Sequence, residues 1–326
     1  MSNNAVDIHE NEIWQRDPQL LVELLRDRTT RKNIFWATHG YETRGAAYQY
    51  FSEITVESIT GENGSVIQPR VSKSAEEQRF RVRSKAEVFT PAWLCNAQNN
   101  LIDEQWFGRK DVFNMETHQG WVSNPEPIVF ESTQGKAWQD YVLDTRLEIA
   151  CGEGPYLASR YDAATGKVIP VEERIGLLDR KLRVVSENCP IRSHWLNWAH
   201  KAVQSVYGYE WQGDNLLLAR ESLLYTFIDF YAAKFARTPT KEDLRRVART
   251  ITWNIWQMDG LKGVVPDSCK PIKGVSSFAD FMDFEDEEHP CPGCIKGCIT
   301  EHTGTYCLIR DWAKQKTLKF ISMIGG

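Results

Sequence analysis

The feature that most restricts this chain is an alternation of short strands with longer helical patterns between Thr145 and Gly260. Arg146-Leu147-Glu148-Ile149-Ala150 reads as a strand running into the turn Cys151-Gly152-Glu153-Gly154. A helical stretch, Trp195 to Val206, leads into a second strand, Val206-Tyr207-Gly208-Tyr209-Glu210. Asp214 then caps an apolar helix, Leu216 to Phe235, and Thr240 with Asp243 forms a capping-box start for a helix over Glu242 to Arg249. A third, aromatic strand, Ile251 to Gln257, stops at the turn Met258-Asp259-Gly260. Strands separated by helices pair in parallel, because each helix carries the chain back to the end where the next strand starts. The expected fold class is therefore α/β.

The flanks are less regular. Asp17-Pro18 followed by Leu20, Leu21, Leu24 and Leu25 reads as an N-cap, a proline at the first helical position and an apolar stripe. The turn Gly61-Glu62-Asn63-Gly64 suggests a small β-hairpin. A length of 326 residues suits one main domain with additions: an N-terminal appendage (1–85), a core (86–266) and a Cys-rich C-terminal segment with a β-hairpin (267–326). No apolar run approaches the roughly 20 residues that span a bilayer. The start of the chain is polar and acidic rather than a secretory leader, so a cytoplasmic protein without membrane contact is expected. A net charge of −5 excludes a protein that coats nucleic acid with a wholly basic surface. Any such contact must come from a local strip. Arg79, Arg81, Arg83 and Lys85 form one basic stretch, read first as a solvated face and, more sharply, as a phosphate-contacting strip.

In an open α/β sheet, ligands sit at the carboxyl ends of the strands. Here those ends carry a glycine-rich turn (Cys151, Gly152, Gly154, following Glu148), a carboxylate (Glu210) and an aspartate (Asp259). Glycines let backbone approach a ligand closely. A carboxylate at the second strand end can accept both hydroxyl protons of a ribose. Upstream lies Val88-Phe89-Thr90-Pro91. Together these segments resemble the ordered motifs of adenine-specific DNA methyltransferases, including modification subunits of restriction systems. The resemblance covers about residues 85–266. It implies a Rossmann-like sheet that binds S-adenosyl-L-methionine, with Phe89, Thr90 and Pro91 beside the methionine part, Leu147 to Gly154 as the glycine-rich motif, Glu210 on the ribose and Asp259 at the adenine ring.

The family's catalytic Asn/Asp-Pro-Pro-Tyr/Phe motif has no counterpart. After Pro266 the chain reads Asp267-Ser268-Cys269-Lys270-Pro271, and Asn124-Pro125-Glu126-Pro127 lies too early and reads as a loop. The expected activity is methyl transfer to adenine N6 in DNA, the acceptor-holding residue being unassigned. A non-catalytic, cofactor-binding subunit or regulator that binds nucleic acid or a partner methyltransferase is the alternative, and a partner subunit or homodimer fits either. Of the 8 cysteines, Cys291 and Cys294 flank a Pro-Gly turn that presents two sulfurs to one point, as tetrahedral zinc requires. His302 and Cys307 complete the expected structural zinc set, with Cys269, Cys298 and His289 as spare ligands.

Overall fold

The computed structural model describes Val6 and residues 9–85, 90–130, 135–273 and 288–324. Its centre is a three-stranded parallel sheet formed by β3 (Arg146–Ile149), β4 (Val206–Glu210) and β5 (Ile255–Gln257), in that order. The chain is thus mixed α/β with small sheets, and a full Rossmann-like sheet is not seen among the described residues. The remaining pairs are short antiparallel ones: β1 (Asn114–Thr117) with β2 (Gly120–Ser123), β6 (Ile272–Lys273) with β7 (Glu288–His289), and β8 (Leu308–Asp311) with β9 (Lys316–Lys319). The last is the expected C-terminal hairpin.

The helices follow from local signals. Asp17 accepts the Gln19 N–H and Pro18 opens α2 (Pro18–Leu25), which buries Leu20, Leu21, Leu24 and Leu25. Thr240 and Asp243 cap each other's backbone at the start of α10 (Lys241–Asn254). This helix runs past the expected boundary, so the third strand keeps only Ile255, Trp256 and Gln257. Side-chain burial of Leu244, Val247, Ala248 and Ile251 on one helical face explains the extension. The Gly61 to Gly64 segment forms a short 3₁₀ turn after α3 (Val56–Ile59) rather than a hairpin.

The two faces of the sheet are covered differently. Residues that pair across parallel strands share a face, so Glu148, Gly208 and Ile255 look one way, and Leu147, Ile149, Tyr207, Tyr209 and Trp256 the other. The first face packs on α7 (Leu177–Asn188), α8 (Arg192–Gln204), α9 (Gly213–Phe235) and α10, in a hydrophobic core that runs without a break from Ile13 to Ile255. Residues expected as an N-terminal appendage therefore belong to the same core. The second face holds a smaller cluster of Trp256, Met258, Val265, Cys307 and Ile309, closed by Phe320. That cover reaches β4 and β5 only. Leu147 and Ile149 on β3 are 49% and 64% exposed.

Two backbone contacts fasten the N-terminal segment at the carboxyl ends of the strands. Gln257 clamps Phe35 by receiving its N–H (3.1 Å) and donating to its carbonyl (2.8 Å), and also donates to the Trp211 carbonyl. A Cβ on Gly213 would lie 2.1 Å from the Phe35 oxygen, so only glycine fits where α9 starts against this segment. No helix among the described residues is long and apolar enough to cross a membrane.

Candidate functional site

Glu210 is the hinge of the strand-end site. It closes β4 and is buried, and its two carboxylate oxygens accept the N–H groups of Gly152 (3.0 Å) and Gln212 (3.2 Å). Burial pushes its pKa up to about 7, against the stabilising pull of those two N–H donors. The glycine-rich turn and the second strand end are thus in direct contact. Gly152 and Gly154 both take left-handed backbone (φ 51° and 76°), which a side chain would strain. Glu148, also buried, accepts the N–H groups of Tyr156 and Leu157 and so anchors the far side of the same turn. Burial raises its pKa well above the usual carboxylate range, and the Glu210 charge adds to the rise. Cys151 is fully enclosed beneath the turn, in contact distance of Gly208.

Thr90 and Pro91 arrive from the helix α5 (Ala92–Phe107), whose N-cap is Pro91. The Tyr156 hydroxyl meets Thr90, and the Ala92 N–H reaches the Asp162 carboxylate at 2.8 Å. Phe89 lies outside the described residues. Pro91 also lines an open groove of about 430 Å³ with Trp93, Trp121, Asp162 and Lys167. A larger groove of about 820 Å³ runs between β2 and the helices α7 and α9, away from Glu210 and Asp259.

Asp259 ends the third strand and is 4% exposed. Its carboxylate accepts the N–H groups of Leu261 and Lys262 and pairs with the Lys262 ammonium at 3.2 Å. The aspartate therefore holds its own turn, and a ligand amine would compete with Lys262 for it.

The basic stretch behaves otherwise than a phosphate strip would. Arg81 of α4 (Ala75–Lys85) is buried and pairs with Asp214, which also accepts the Tyr41 hydroxyl (2.8 Å) and lies 3.4 Å from the Lys73 ammonium. Desolvation works against the Asp214 carboxylate, but the Arg81 and Lys73 charges bring its pKa below the ordinary value. Asp214 is not the expected cap: α9 starts at Gly213 after Gln212, and Asp214 lies inside its first turn, turned to the ion pair. With its guanidinium spent on that carboxylate, Arg81 is closed to phosphate. Arg79 and Arg83 stay exposed.

The cysteine region forms a second site. Cys269, Cys291, Cys294 and His302 bring their ligand atoms within 4.8 Å of one another, an arrangement able to hold a metal ion. The three sulfurs lie 3.7, 3.6 and 3.6 Å from the same His302 Nδ1. One ring nitrogen has a single lone pair or a single hydrogen, so three hydrogen bonds to it are impossible together. Ligands about 2.1 and 2.3 Å from a shared tetrahedral centre would stand about 3.6 Å apart, the spacing observed. Cys291 and Cys294 are set by the first turn of α11 (Pro292–Lys296), and the Thr303 N–H points at the Cys291 sulfur (3.2 Å). Although burial opposes it, hydrogen bonds from Thr303, Cys294 and His302 draw the Cys291 thiol down to about 5.

The expected Cys307 lies outside this cluster, and Cys269 takes the fourth position in it. The Cys307 sulfur points at the Gln257 carbonyl (3.4 Å), inside the apolar cluster with Trp256 and Met258. Its backbone ties the C-terminal hairpin to the Asp259 turn through Gly263 and Phe320, which turns the side chain toward the sheet. Cys298 and His289 lie outside the cluster. Proximity along the chain favoured Cys307, and no spacing rule singles out Cys269 on the other side of residues 274–287. No family model, curated protein or solved structure matches this chain, so the chemistry of the two sites alone carries the functional argument.

Proposed function

We propose that this protein binds S-adenosylmethionine at the carboxyl ends of β3, β4 and β5 and transfers its methyl group to adenine N6 in DNA. The observation that supports this reading is the Glu210 carboxylate bridging the Gly152 turn and the start of α9. Those groups are what a ribose and its neighbouring carbons require: a paired acceptor for two hydroxyls, and a glycine backbone with no side chain in the way. Thr90 lies by Tyr156, two residues after that turn, and the Ala92 N–H that follows Pro91 reaches Asp162. Asp259 offers an acceptor for an adenine amine at the next strand end. Bound cofactor would supply an electrophilic methyl group; the residues named here orient it and keep its adenosine end out of water.

Zinc is the ion proposed for Cys269, Cys291, Cys294 and His302, since three sulfurs and one imidazole suit it. Its role is structural. The cluster is bound to the third strand end, because Val265 and Thr305, and Gly263 and Cys307, share backbone hydrogen bonds. DNA contacts are assigned to Arg79 and Arg83. A second reading, a non-catalytic cofactor-binding subunit, draws on the uncovered Leu147 and Ile149 of β3, where a partner chain could complete the sheet.

Calorimetry with S-adenosylhomocysteine tests the pocket, and tritium-labelled S-adenosylmethionine with DNA, RNA and protein acceptors tests the transfer. Binding with label in DNA is expected. Absence of heat at millimolar ligand ends the cofactor reading, and binding without label in any acceptor moves the conclusion to the non-catalytic subunit.

A further inference from the structure

Tyr50 and Phe51 sit where the sheet meets the N-terminal segment, and the proposed function leaves them without a part. Phe51 is 67% exposed, stacks on Phe35 (ring centroids 6.1 Å, 24° between planes) and meets Tyr50 edge-on at 4.8 Å. His39 also packs on Tyr50, with ring centroids 4.8 Å apart. The Tyr50 hydroxyl donates to Asp267 (2.6 Å) and accepts from the Trp211 indole (3.0 Å). Trp211 is the residue after Glu210, and Asp267 follows directly on the segment that pairs with the Asp259 turn. Burial and the Asp267 carboxylate raise the Tyr50 pKa, and the Asp259 charge contributes. Both Ala37, which hydrogen-bonds the Tyr50 carbonyl, and Asp267 hold left-handed backbone (φ 52° each), a conformation that costs free energy and persists only where the surroundings impose it.

The result is an aromatic shelf edged by a carboxylate, beside the residues proposed to hold the cofactor. Tyr50 occupies one oxygen of Asp267; among the described residues the other has no partner. An extruded base needs two things, a ring to stack on and an acceptor for its exocyclic amine. We propose that Phe51 and Tyr50, with Asp267, seat the methyl-accepting adenine of DNA, Phe51 stacking on the ring and Asp267 accepting from the amine. This inference rests on the methyltransferase reading and supplies the acceptor site that the missing Asn/Asp-Pro-Pro-Tyr motif leaves open.

The test uses the full-length protein and single-stranded DNA oligonucleotides. In the first arm, 2-aminopurine replaces one adenine, and its fluorescence reports stacking. Wild type should quench it, and Phe51→Ala should weaken binding about tenfold, the scale of one lost base–aromatic stack. A side chain this exposed contributes little to folding, so the variant stays intact; its melting temperature checks this. In the second arm, oligonucleotides carrying adenine or unsubstituted purine compete. Asp267→Asn, which keeps an acceptor for Tyr50, should abolish the preference for adenine. Equal binding by Phe51→Ala and wild type, an unchanged adenine preference in Asp267→Asn, or tighter binding of an RNA oligonucleotide than of DNA would each overturn the proposal. Calorimetry with S-adenosylhomocysteine on the same proteins separates the two ideas. Loss of cofactor binding in wild type refutes the proposed function, whereas intact cofactor binding with unaltered base binding in the variants refutes this inference alone.

Discussion

The strand-end site and the cysteine site differ in how their polar groups are satisfied. At the strand ends every buried carboxylate already has partners within the chain: Glu148 takes two N–H groups, Glu210 takes two, and Asp259 takes two with an ammonium. This region is built in advance, and a ligand would exchange hydrogen bonds rather than create order. The cysteine site is the opposite. Three sulfurs converge on one nitrogen that can satisfy at most one of them, and the segment around it buries few apolar side chains beyond Val264, Val265, Cys291, Cys307 and Ile309. Such a loop lacks an apolar core of its own, so a metal ion is what would hold it together. A pocket supported by packing and a segment supported by coordination should respond to opposite kinds of damage.

Metal removal should give the largest effect. Structural zinc sites of this type contribute on the order of 10 kcal/mol locally. A chelator should therefore strip hydrogen-exchange protection from residues 288–319 while the sheet and its helices keep theirs. One ion per chain should co-purify; Cys269→Ser should abolish it and Cys307→Ser should retain it. A Cys269→Ser protein with full metal content would reverse the ligand assignment.

Next in size is a cut through the packed side of the comparison. Arg81→Ala leaves the buried Asp214 carboxylate without its guanidinium partner, at a cost of about 3 kcal/mol. A melting temperature lower by about 4–5 °C should follow, with metal content unchanged. Arg79→Ala and Arg83→Ala should stay within about 0.5 kcal/mol of wild type in stability. A similar loss in all three would show that the ion pair with Asp214 carries no special weight.

Glu210→Ala should weaken S-adenosylhomocysteine binding by about 1–3 kcal/mol, the penalty for ribose hydroxyls left without their acceptor. Metal content should not move. If calorimetry instead finds unchanged affinity, the ribose assignment is wrong even though the turn geometry stands.

The smallest effect is a pH dependence. With its pKa raised to about 7, Glu210 is mostly neutral at pH 6 and mostly ionised at pH 8. The carboxylate is the form that accepts two hydroxyls, so affinity should rise about tenfold between those pH values and be flat in Glu210→Gln. Ligand-free stability runs the other way. A folded pKa above the ordinary value means that this group's contribution is complete below about pH 4.5 and is lost as the pH climbs through 7. Parallel rather than opposite trends would mean that another group titrates.

What the amino-acid order determined by itself is local. Periodicity marks α2, α9 and α10, with side-chain caps at α2 and α10; the glycine turn marks the end of β3; and the Cys-Pro-Gly-Cys turn marks two members of the cysteine–histidine cluster. Each depends on residues within a few positions of one another, where backbone geometry restricts the outcomes. Only the tertiary structure decided that Arg81 is closed to solvent, that Cys269 replaces Cys307, and that Tyr50 meets Asp267. The Arg81 and Tyr50 contacts span 133 and 217 residues of chain. No periodicity records such pairs, because they form when separately specified elements pack: the helix α9 brings Asp214 to Arg81, and Gln257 pins Phe35 so that Tyr50 falls beside the third strand end. The cysteines show the same limit at close range. Cys269 and Cys307 flank one knuckle, and strand pairing turned Cys307 into the apolar cluster beneath Trp256, leaving Cys269 to face the other ligands.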